Sequence, residues 1–196
     1  MFASTALVQD ILASAIKAAG EGVDTLAAAL DELPAPIYVT DPNGVITYFN
    51  PACIGFTGRM PAVGKDKWCV TWKLYTNDGE PLPHDACPMA VAVKEHRTIR
   101  GVTAVAERPD GVRVNFIPFP TPIIGPEGRF LGAVNLLIDI TELRQIPELR
   151  SQAERARRLG RTVSDRQTVS SLLRMAEELE AKAAALQAAS PYVSAG

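Results

Sequence analysis

The chain has 196 residues, 47% of them hydrophobic, and a formal net charge of -2. This length can bury one good core, so we expect a single domain of about 100 to 130 residues with helical extensions rather than two full domains. The net charge gives no global reason to expect binding to nucleic acid or anionic lipid, because both need a concentrated basic surface, so charge must be judged locally.

The cysteines and the N-terminal segment predict a reduced, cytoplasmic protein. Cys53, Cys69 and Cys87 form an odd count without the spacing of a disulfide framework. The first segment lacks the basic residues of a secretory leader and carries Asp10. No window approaches the roughly 18 uninterrupted apolar residues of a membrane span, so we expect no direct membrane role.

Apolar residues spaced three and four apart predict N-terminal helical structure over residues 1–33. The seam that they form consists of Leu12, Ile16, Val23, Leu26 and Leu30. Gly20 and Gly22 each cost about 1 kcal/mol relative to alanine in a helix, so one continuous helix and two helices meeting near Gly20 both fit the pattern. A narrow seam suits another helix, and we expect it to form a homodimer interface.

From Ile37 onward, short runs of β-branched and aromatic residues alternate with turn signals, which predicts strands joined by tight turns. Residues 37–40 and 45–49 flank the turn Asp41-Pro42-Asn43-Gly44 and predict a hairpin. The helices expected in this part are a short one through Cys53 and Phe56 and a second over 85–95, with a mixed segment over 64–83 between them. The further strands are expected over 98–107, 112–119 and 130–140, and their short connections favour an antiparallel sheet.

The last predicted strand is followed directly by a predicted helix. Its apolar run is ended by Asp139 and Thr141, after which Glu, Leu, Arg, Gln and Ala dominate. We expect helices over 142–188, with a kink at Pro147, a break at Gly160 and a capping box at Ser164 that starts the second helix. Residues 189–196 are expected to be a flexible tail.

This order of elements, together with several short motifs, resembles the PAS domain over about residues 30–141. The motifs are Asp41-Pro42-Asn43-Gly44 running into Tyr48-Phe49-Asn50-Pro51-Ala52, Gly58 after the first short helix, Arg108-Pro109-Asp110-Gly111, and Gly132-Ala133-Val134 leading to Asp139-Ile140-Thr141. The resemblance implies an α+β fold in which a five-stranded antiparallel sheet carries short helices on one face, between an N-terminal helix and a C-terminal helical extension. It assigns residues 34–141 to the domain and implies that Asp139, Ile140 and Thr141 couple the last strand to a signalling helix.

Sensing by such a fold requires a pocket between the sheet and its helices. Strand alternation places Val114 and Phe116 on one face of their strand. The side chains expected to line the pocket are Phe56, Trp68, Trp72, Met89, Val93, Val114, Phe116 and Leu136. The same side chains equally fit a solid core, because aromatic-rich interiors are commonly packed.

The cysteines and histidines are the side chains that could support metal binding or redox chemistry. His84 and Cys87 have the spacing of half a zinc site, but Cys53 and Cys69 would have to complete it through folding alone. We therefore predict no metal site, leave the cofactor unknown, and treat the thiols as small hydrophobes and His84 and His96 as loop residues. A Cys69–Cys87 thiol switch is the less favoured alternative, because nothing in the sequence indicates a lowered thiol pKa.

Catalysis and cofactor photochemistry find little support. The acidic residues lie isolated beside turns, and neither a nucleophile elbow nor a phosphate-binding loop is present, so we predict no enzymatic activity. Light-sensing relatives carry Asn-Cys-Arg-Phe-Leu-Gln, whereas Asn50-Pro51-Ala52-Cys53 lacks the residues that follow, which argues against flavin chemistry. The arginines between Arg144 and Arg174 alternate with acids and lack aromatic neighbours, which is typical of a solvated helix face.

Together these features predict a cytoplasmic PAS-type sensory or adaptor protein that binds a small ligand or a partner protein and transmits the signal through its C-terminal helix. The expected partners are a second copy of the chain and a signalling protein such as a kinase or regulator. The alternatives from other classes are a haem- or metal-based redox sensor, a structural dimerisation module without a ligand, and a DNA-binding regulator.

Overall fold

A computed structural model of the protein describes residues 2–3, 5–21, 23–189 and 193–194. The chain divides into two compact units. The sheet unit is Ala6–Asp139, and the C-terminal unit contains the chain from Ile140 onward together with the first few residues. In the C-terminal unit, strand β1 (Phe2–Ala3) pairs with β8 (Val193–Ser194). The tail predicted for 189–196 otherwise lies outside the described residues, apart from Ala189.

Two helices begin the sheet unit. Helix α1 spans Thr5–Glu21 and α2 spans Val23–Leu30, so the N-terminal segment forms two helices rather than one rod. Gly22, between them, lies outside the described residues. The break falls in the stretch that holds both glycines, where the helix is least favoured.

Asn50 ties the end of α2 to the start of the sheet. Its Nδ2 donates to the carbonyl oxygens of Leu30, Leu33 and Ala35 at 3.1, 3.2 and 3.0 Å, and its Oδ1 accepts from the N–H of Ile37 at 3.0 Å. Asn50 is fully buried. A buried amide must find partners inside the protein, so these bonds fix the path of the chain between α2 and the first strand of the sheet.

The sheet is antiparallel throughout, as the short connections predicted, but it has six strands rather than five. The strands are β2 (Ile37–Thr40), β3 (Ile46–Phe49), β4 (Lys73–Tyr75), β5 (Ala104–Glu107), β6 (Arg113–Ile124) and β7 (Phe130–Asp139), in the order β3-β2-β7-β6-β5-β4. The unexpected member, β4, is a three-residue edge strand paired with β5. Its length is too short to show alternation in the sequence.

Both predicted hairpin turns are confirmed. The N–H of Gly44 donates to the carbonyl of Asp41 at 3.0 Å, and the N–H of Gly111 donates to the carbonyl of Arg108 at 2.9 Å. Gly44 has φ of +77°. A side chain there would also collide with the ring of Trp68, 2.2 Å from an ideal Cβ, so the position requires glycine.

Two strand boundaries differ from the prediction. Strand β5 covers only the last four residues of the run predicted over 98–107, while β6 continues five residues beyond Phe119. This extension contains Pro120 and Pro122, which pair with β7, as does Pro118 just before it. The partner on the other side, β5, reaches only to Phe116, so the extension lies beyond the end of that pairing. Prolines are tolerated where no ladder partner needs their N–H.

Short helices accompany the sheet. Helix α3 spans Ala52–Thr57 and ends at Gly58, whose φ is +66°, as the sequence predicted. A 3₁₀ turn over His84–Ala86 leads into α4, Pro88–Glu95, which has Cys87 at its N-cap and proline in its first turn. A second 3₁₀ turn, Pro126–Gly128, joins β6 to β7.

The C-terminal unit contains a 3₁₀ turn, Leu143–Gln145, followed by α5 (Ile146–Gly160) and α6 (Arg166–Ala188). The predicted break at Gly160 is confirmed. Pro147 lies in the first turn of α5, where its missing N–H breaks no helical bond, so it starts the helix instead of kinking it. The cap of α6 is Asp165 rather than Ser164, because its carboxylate accepts from the N–H of Thr168 at 2.8 Å.

Helices α5 and α6 pack together as an antiparallel hairpin, here called the C-terminal hairpin. Its centre is the alanine cluster of Ala153, Ala156 and Ala176, with Leu172 and Leu179 packed against it. At its surface, the Arg157 guanidinium bonds to both carboxylate oxygens of Glu180. Small residues allow the two helices to approach closely, and the polar groups cover the contact.

Across the described ranges of the chain, none of the helices combines the length and hydropathy that crossing a bilayer demands.

Candidate functional site

The interior between one face of the sheet and helices α3 and α4 is a single apolar cluster, here called the interior cluster. The predicted pocket residues within it are Phe56, Met89, Val93, Val114 and Phe116. The Phe56 and Phe116 rings meet edge to face with centroids 5.5 Å apart. Ala133 and Leu137 of β7 also belong to this cluster, so the central strand contacts the same interior as the two helices.

The remaining three predicted pocket residues have different positions. Trp68 is half-buried and packs against the interior cluster. Trp72 is 45% exposed, with the Lys73 ammonium 4.3 Å from its ring centroid, so it is not an interior side chain. Leu136 is fully buried but lies outside the interior cluster, which contains its neighbour Leu137 instead. Successive strand residues face opposite sides, and the prediction chose the wrong one of the two.

A buried polar chain crosses the interior and was not predicted. The Asn135 Nδ2 donates to the Tyr38 hydroxyl at 3.0 Å, and that hydroxyl donates to the Trp68 carbonyl at 2.9 Å. The Asn135 Oδ1 accepts from the N–H of Phe119 at 2.9 Å. Burial raises the pKa of Tyr38 well above its ordinary value, so the hydroxyl keeps its proton. The available signal was one asparagine inside the apolar run of the last strand.

Trp68 has the backbone conformation of a turn glycine, with φ of +68°. Its indole lies against Gly44, and its carbonyl accepts from Tyr38 as well as lying 3.9 Å from the sulfur of Cys87. A non-glycine residue in this region costs on the order of 1 kcal/mol, which the surrounding contacts must supply. The strained residue directly precedes Cys69 and sets where that thiol lies.

Cys69 and Cys87 lie together at the edge of the interior. The Thr71 hydroxyl donates to the Cys69 sulfur at 3.2 Å and lies 3.4 Å from the Nε2 of His84. A hydrogen bond from the Cys87 thiol, stronger than the opposing effect of burial, lowers the pKa of Cys69, and the nearby His84 acts in the same direction. The same bond raises the pKa of Cys87, which keeps its proton. Of the two, Cys69 is therefore the thiol that loses its proton more readily.

A surface cleft of about 160 Å³ opens onto this pair and is called the Cys69 cleft. It is lined by Arg59, Asp66, Lys67, Cys69, Thr71, Trp72 and His84. Asp66 is fixed by an ion pair with Arg59 and by accepting the N–H of Ala62 at 3.0 Å. Because Cys69 belongs to both the interior cluster and the cleft lining, the cleft connects solvent to the interior at this residue.

Cys53 and His96 have structural surroundings. Cys53 is fully buried, donates to the Ile37 carbonyl at 3.4 Å, and has its pKa raised to about 12 by burial. His96 ends α4 in a left-handed conformation and stacks on Phe130 with centroids 4.1 Å apart. Among the residues that the structure describes, no group of three or more histidine, cysteine, aspartate or glutamate side chains is placed to hold a metal ion.

The predicted dimer seam is partly covered by its own chain. Leu12, Leu26 and Leu30 are buried and Ile16 is half-buried within one copy, while the side chain of Val23 lies outside the described part. A homodimer through these residues therefore remains a prediction that would require α1 and α2 to move. Replacing Leu26 by aspartate and comparing the mass by sedimentation would test it.

The predicted transmission segment joins the two units along the chain. Strand β7 ends at Asp139, and Ile140 and Thr141 precede the 3₁₀ turn that leads to α5. The N-cap positions of the turn and the helix are Glu142 and Gln145. The role of Asp139, Ile140 and Thr141 in signalling remains a prediction.

Comparison with known proteins adds a family match. A family model described as a PAS domain matches residues 34–142. Similar solved structures include a PAS domain from Colwellia psychrerythraea (23% identity, 61% of this chain and 97% of that chain, TM-score 0.42) and the PAS domain of the fruit-fly ELK potassium channel (18%, 60% and 96%, 0.49). A Rhodobacter sphaeroides LOV protein is similar at 17% identity over 81% of this chain and 92% of that chain, with a TM-score of 0.47. No curated protein matches the chain.

Proposed function

This chain belongs to the PAS domain family, and we propose that it is a sensory protein in which a small ligand changes the packing of the interior cluster and the C-terminal hairpin carries that change to a partner protein. The family match supports a role in sensing a signal. The ligand, the partner and the route between them are the proposal.

The observation that carries the proposal is the position of β7. Ala133 and Leu137 of this strand pack in the interior cluster, and the same strand leads at Asp139 into the segment before α5. Strand β7 is also central, since it is hydrogen-bonded to β2 on one side and β6 on the other. A small movement of the interior would therefore shift the strand that precedes the C-terminal hairpin in the chain, which is a route for a population shift.

The Cys69 cleft supports the entry of a small ligand. Its volume of about 160 Å³ holds a few water-sized groups, and its lining offers a threonine hydroxyl, an imidazole and an indole. Its contact with the interior at Cys69 would let an occupant press on the interior cluster. The polar chain of Asn135, Tyr38 and Trp68 then connects the cleft side of the interior to β7.

Transmission is tested with Val93→Ala, which removes two methyl groups from α4 in the interior cluster. We expect this variant to change amide hydrogen exchange in α5 and α6, and we expect the change to disappear when Asp139 and Thr141 are also replaced by alanine. The control is the unmodified protein in enough urea to match the global stability of the variant. Equal changes in α5 and α6 for the variant and its urea-matched control would contradict transmission.

Ligand binding is tested by native mass spectrometry and an absorption spectrum of protein purified without denaturant. We expect a bound molecule whose occupancy falls in a Thr71→Leu variant, because leucine fills the cleft wall and removes the hydroxyl. An unliganded mass without any absorbing group would contradict this part of the proposal and favour an adaptor that responds to protein contacts.

A further inference from the structure

We propose that Cys69 and Cys87 form a peroxide-reactive dithiol, in which Cys69 is the attacking sulfur, Cys87 is the resolving thiol, and the Cys69 cleft admits hydrogen peroxide or an alkyl hydroperoxide of similar size. This chemistry goes beyond the proposed sensory function, because it takes place within the sheet unit whether or not the C-terminal hairpin responds.

The first support is geometry. Both cysteines belong to the interior cluster, and both lie at Trp68: Cys69 follows it in the chain, and the Cys87 sulfur lies 3.9 Å from its carbonyl oxygen. The two thiols lie close enough that each shifts the pKa of the other. A neighbouring thiol can resolve an oxidised intermediate at the attacking sulfur.

The second support is the polar environment of Cys69. The Thr71 hydroxyl donates to its sulfur at 3.2 Å, which stabilises the negatively charged form, and the neighbouring Cys87 lowers its pKa further. The Cys87 sulfur in turn accepts from the N–H of Ala90 at 3.5 Å at the start of α4. The ionisable side chains around the pair are Tyr38, Arg59, Asp66, Lys67, His84 and Cys87. Cys69 is thus the described cysteine with the features of a nucleophile, whereas burial keeps Cys53 protonated.

The third support is access. Cys69 is only 4% exposed, yet it lines the cleft. A volume of about 160 Å³ accommodates hydrogen peroxide but not a tripeptide disulfide, so the cleft selects for small oxidants. Cys69 is therefore the cysteine of the pair that lines the cleft and can meet small reagents from solvent.

The Cys69 thiolate attacks one peroxide oxygen, the O–O bond breaks, and Cys69 becomes a sulfenic acid while hydroxide leaves and takes a proton from solvent to form water. The Cys87 sulfur then attacks the Cys69 sulfur, the S–O bond breaks, and the released hydroxide takes the Cys87 proton to form a second water. Two thiols are oxidised to one disulfide, and one peroxide is reduced to two waters.

To test the proposal, the full chain is treated with hydrogen peroxide and alkylated. Mass spectrometry then identifies the oxidation state and disulfide partner of each cysteine. We expect a Cys69–Cys87 disulfide in the wild type and in the matched control Cys53→Ala. In Cys87→Ser, which keeps a hydroxyl donor for Cys69 but cannot form the disulfide, we expect a sulfenic acid at Cys69 that dimedone traps. This experiment uses only proteins that keep Cys69, so it does not require a variant at that buried position to fold.

The pair is also tested through its pH dependence. The rate of Cys69 alkylation should reach half its maximum below the pH of about 8.5 that is usual for a free thiol. Cys87→Ala should raise that midpoint and slow alkylation at neutral pH by about tenfold for each unit of pKa shift, and Cys87→Ser should restore much of the rate. Oxidation of Cys69 and Cys53 at the same rate, or reaction of Cys69 in denaturant alone, would overturn the proposal.

Discussion

The two units of the molecule achieve stability by different means. The sheet unit buries long apolar side chains together with polar groups such as Asn50 and Asn135, each with several hydrogen bonds. The C-terminal hairpin buries mainly alanines, together with Ile146 and Leu149 of α5, and carries exposed ion pairs on its surface. Alanine contributes little apolar area, and exposed ion pairs contribute little free energy. From this difference we expect the C-terminal hairpin to open at lower cost than the sheet unit.

The largest expected effect on the stability of the sheet unit comes from removing the buried hydrogen bonds of Asn50. In Asn50→Ala, the carbonyls of Leu30, Leu33 and Ala35 and the N–H of Ile37 lose their buried partner. We expect a loss of about 3 kcal/mol in the free energy of unfolding, because buried unpaired groups cost about 1–3 kcal/mol each and some regain water. Both tryptophans lie in the sheet unit, so urea unfolding followed by their fluorescence measures this unit.

The control for that experiment is Asn43→Ala, at an exposed turn position, for which we expect a change within about 0.5 kcal/mol. Equal midpoints for the two variants would show that the Asn50 bonds do not hold α2 to the sheet.

A smaller effect is expected from overpacking the C-terminal hairpin. Ala176→Leu places a larger side chain in the alanine cluster, which costs about 1–3 kcal/mol. Because the cost falls on α5 and α6, their amides should exchange faster while those of β2 to β7 stay unchanged in hydrogen-exchange mass spectrometry. The matched control is Met175→Leu, an exposed neighbour on the same helix. Faster exchange across the whole sheet would mean that the two units unfold together.

The smallest effect is the pH dependence of the hairpin surface. The Arg157 guanidinium lowers the pKa of Glu180 below its ordinary value of 4.5. A carboxyl with a lowered pKa stabilises the folded state above its unfolded pKa, and this contribution is lost as the pH falls through the folded value. After correction for the intrinsic pH dependence of amide exchange, the protection of α5 and α6 should therefore fall below about pH 4.5.

Arg157→Gln should weaken that pH dependence, and the exposed Arg158→Gln should not. An identical pH response in the two variants would show that the ion pair contributes nothing measurable.

The sequence was sufficient to predict those elements whose formation depends on residues close together in the chain. The hairpin turns, the glycine that ends α3 and the helix α6 follow from turn chemistry and from apolar residues at helical spacing. Strand β4 was missed because three residues show no period, and β6 was ended too early because proline is normally excluded from a paired strand.

The candidate site was only half predictable for a related reason. Five of the eight proposed pocket residues share the interior cluster, since apolar strand and helix faces indicate burial. Cys69 comes near Cys87 through the left-handed conformation of Trp68. No pattern in the sequence predicts that conformation. Long-range placement of this kind is decided by packing rather than by local preference.

The three prolines of β6 have a consequence for how the protein behaves at high concentration. Beyond Phe116 this strand has β7 on one side and no β5 on the other. Pro118, Pro120 and Pro122 remove N–H donors from the stretch, and the Pro120 carbonyl is already bonded by the N–H of Ile99 and by Arg100. An invading strand from another molecule would find no N–H donor at these three positions and the Pro120 carbonyl already bonded, so pairing with this edge is disfavoured and the longest strand of the sheet is protected from edge-to-edge aggregation.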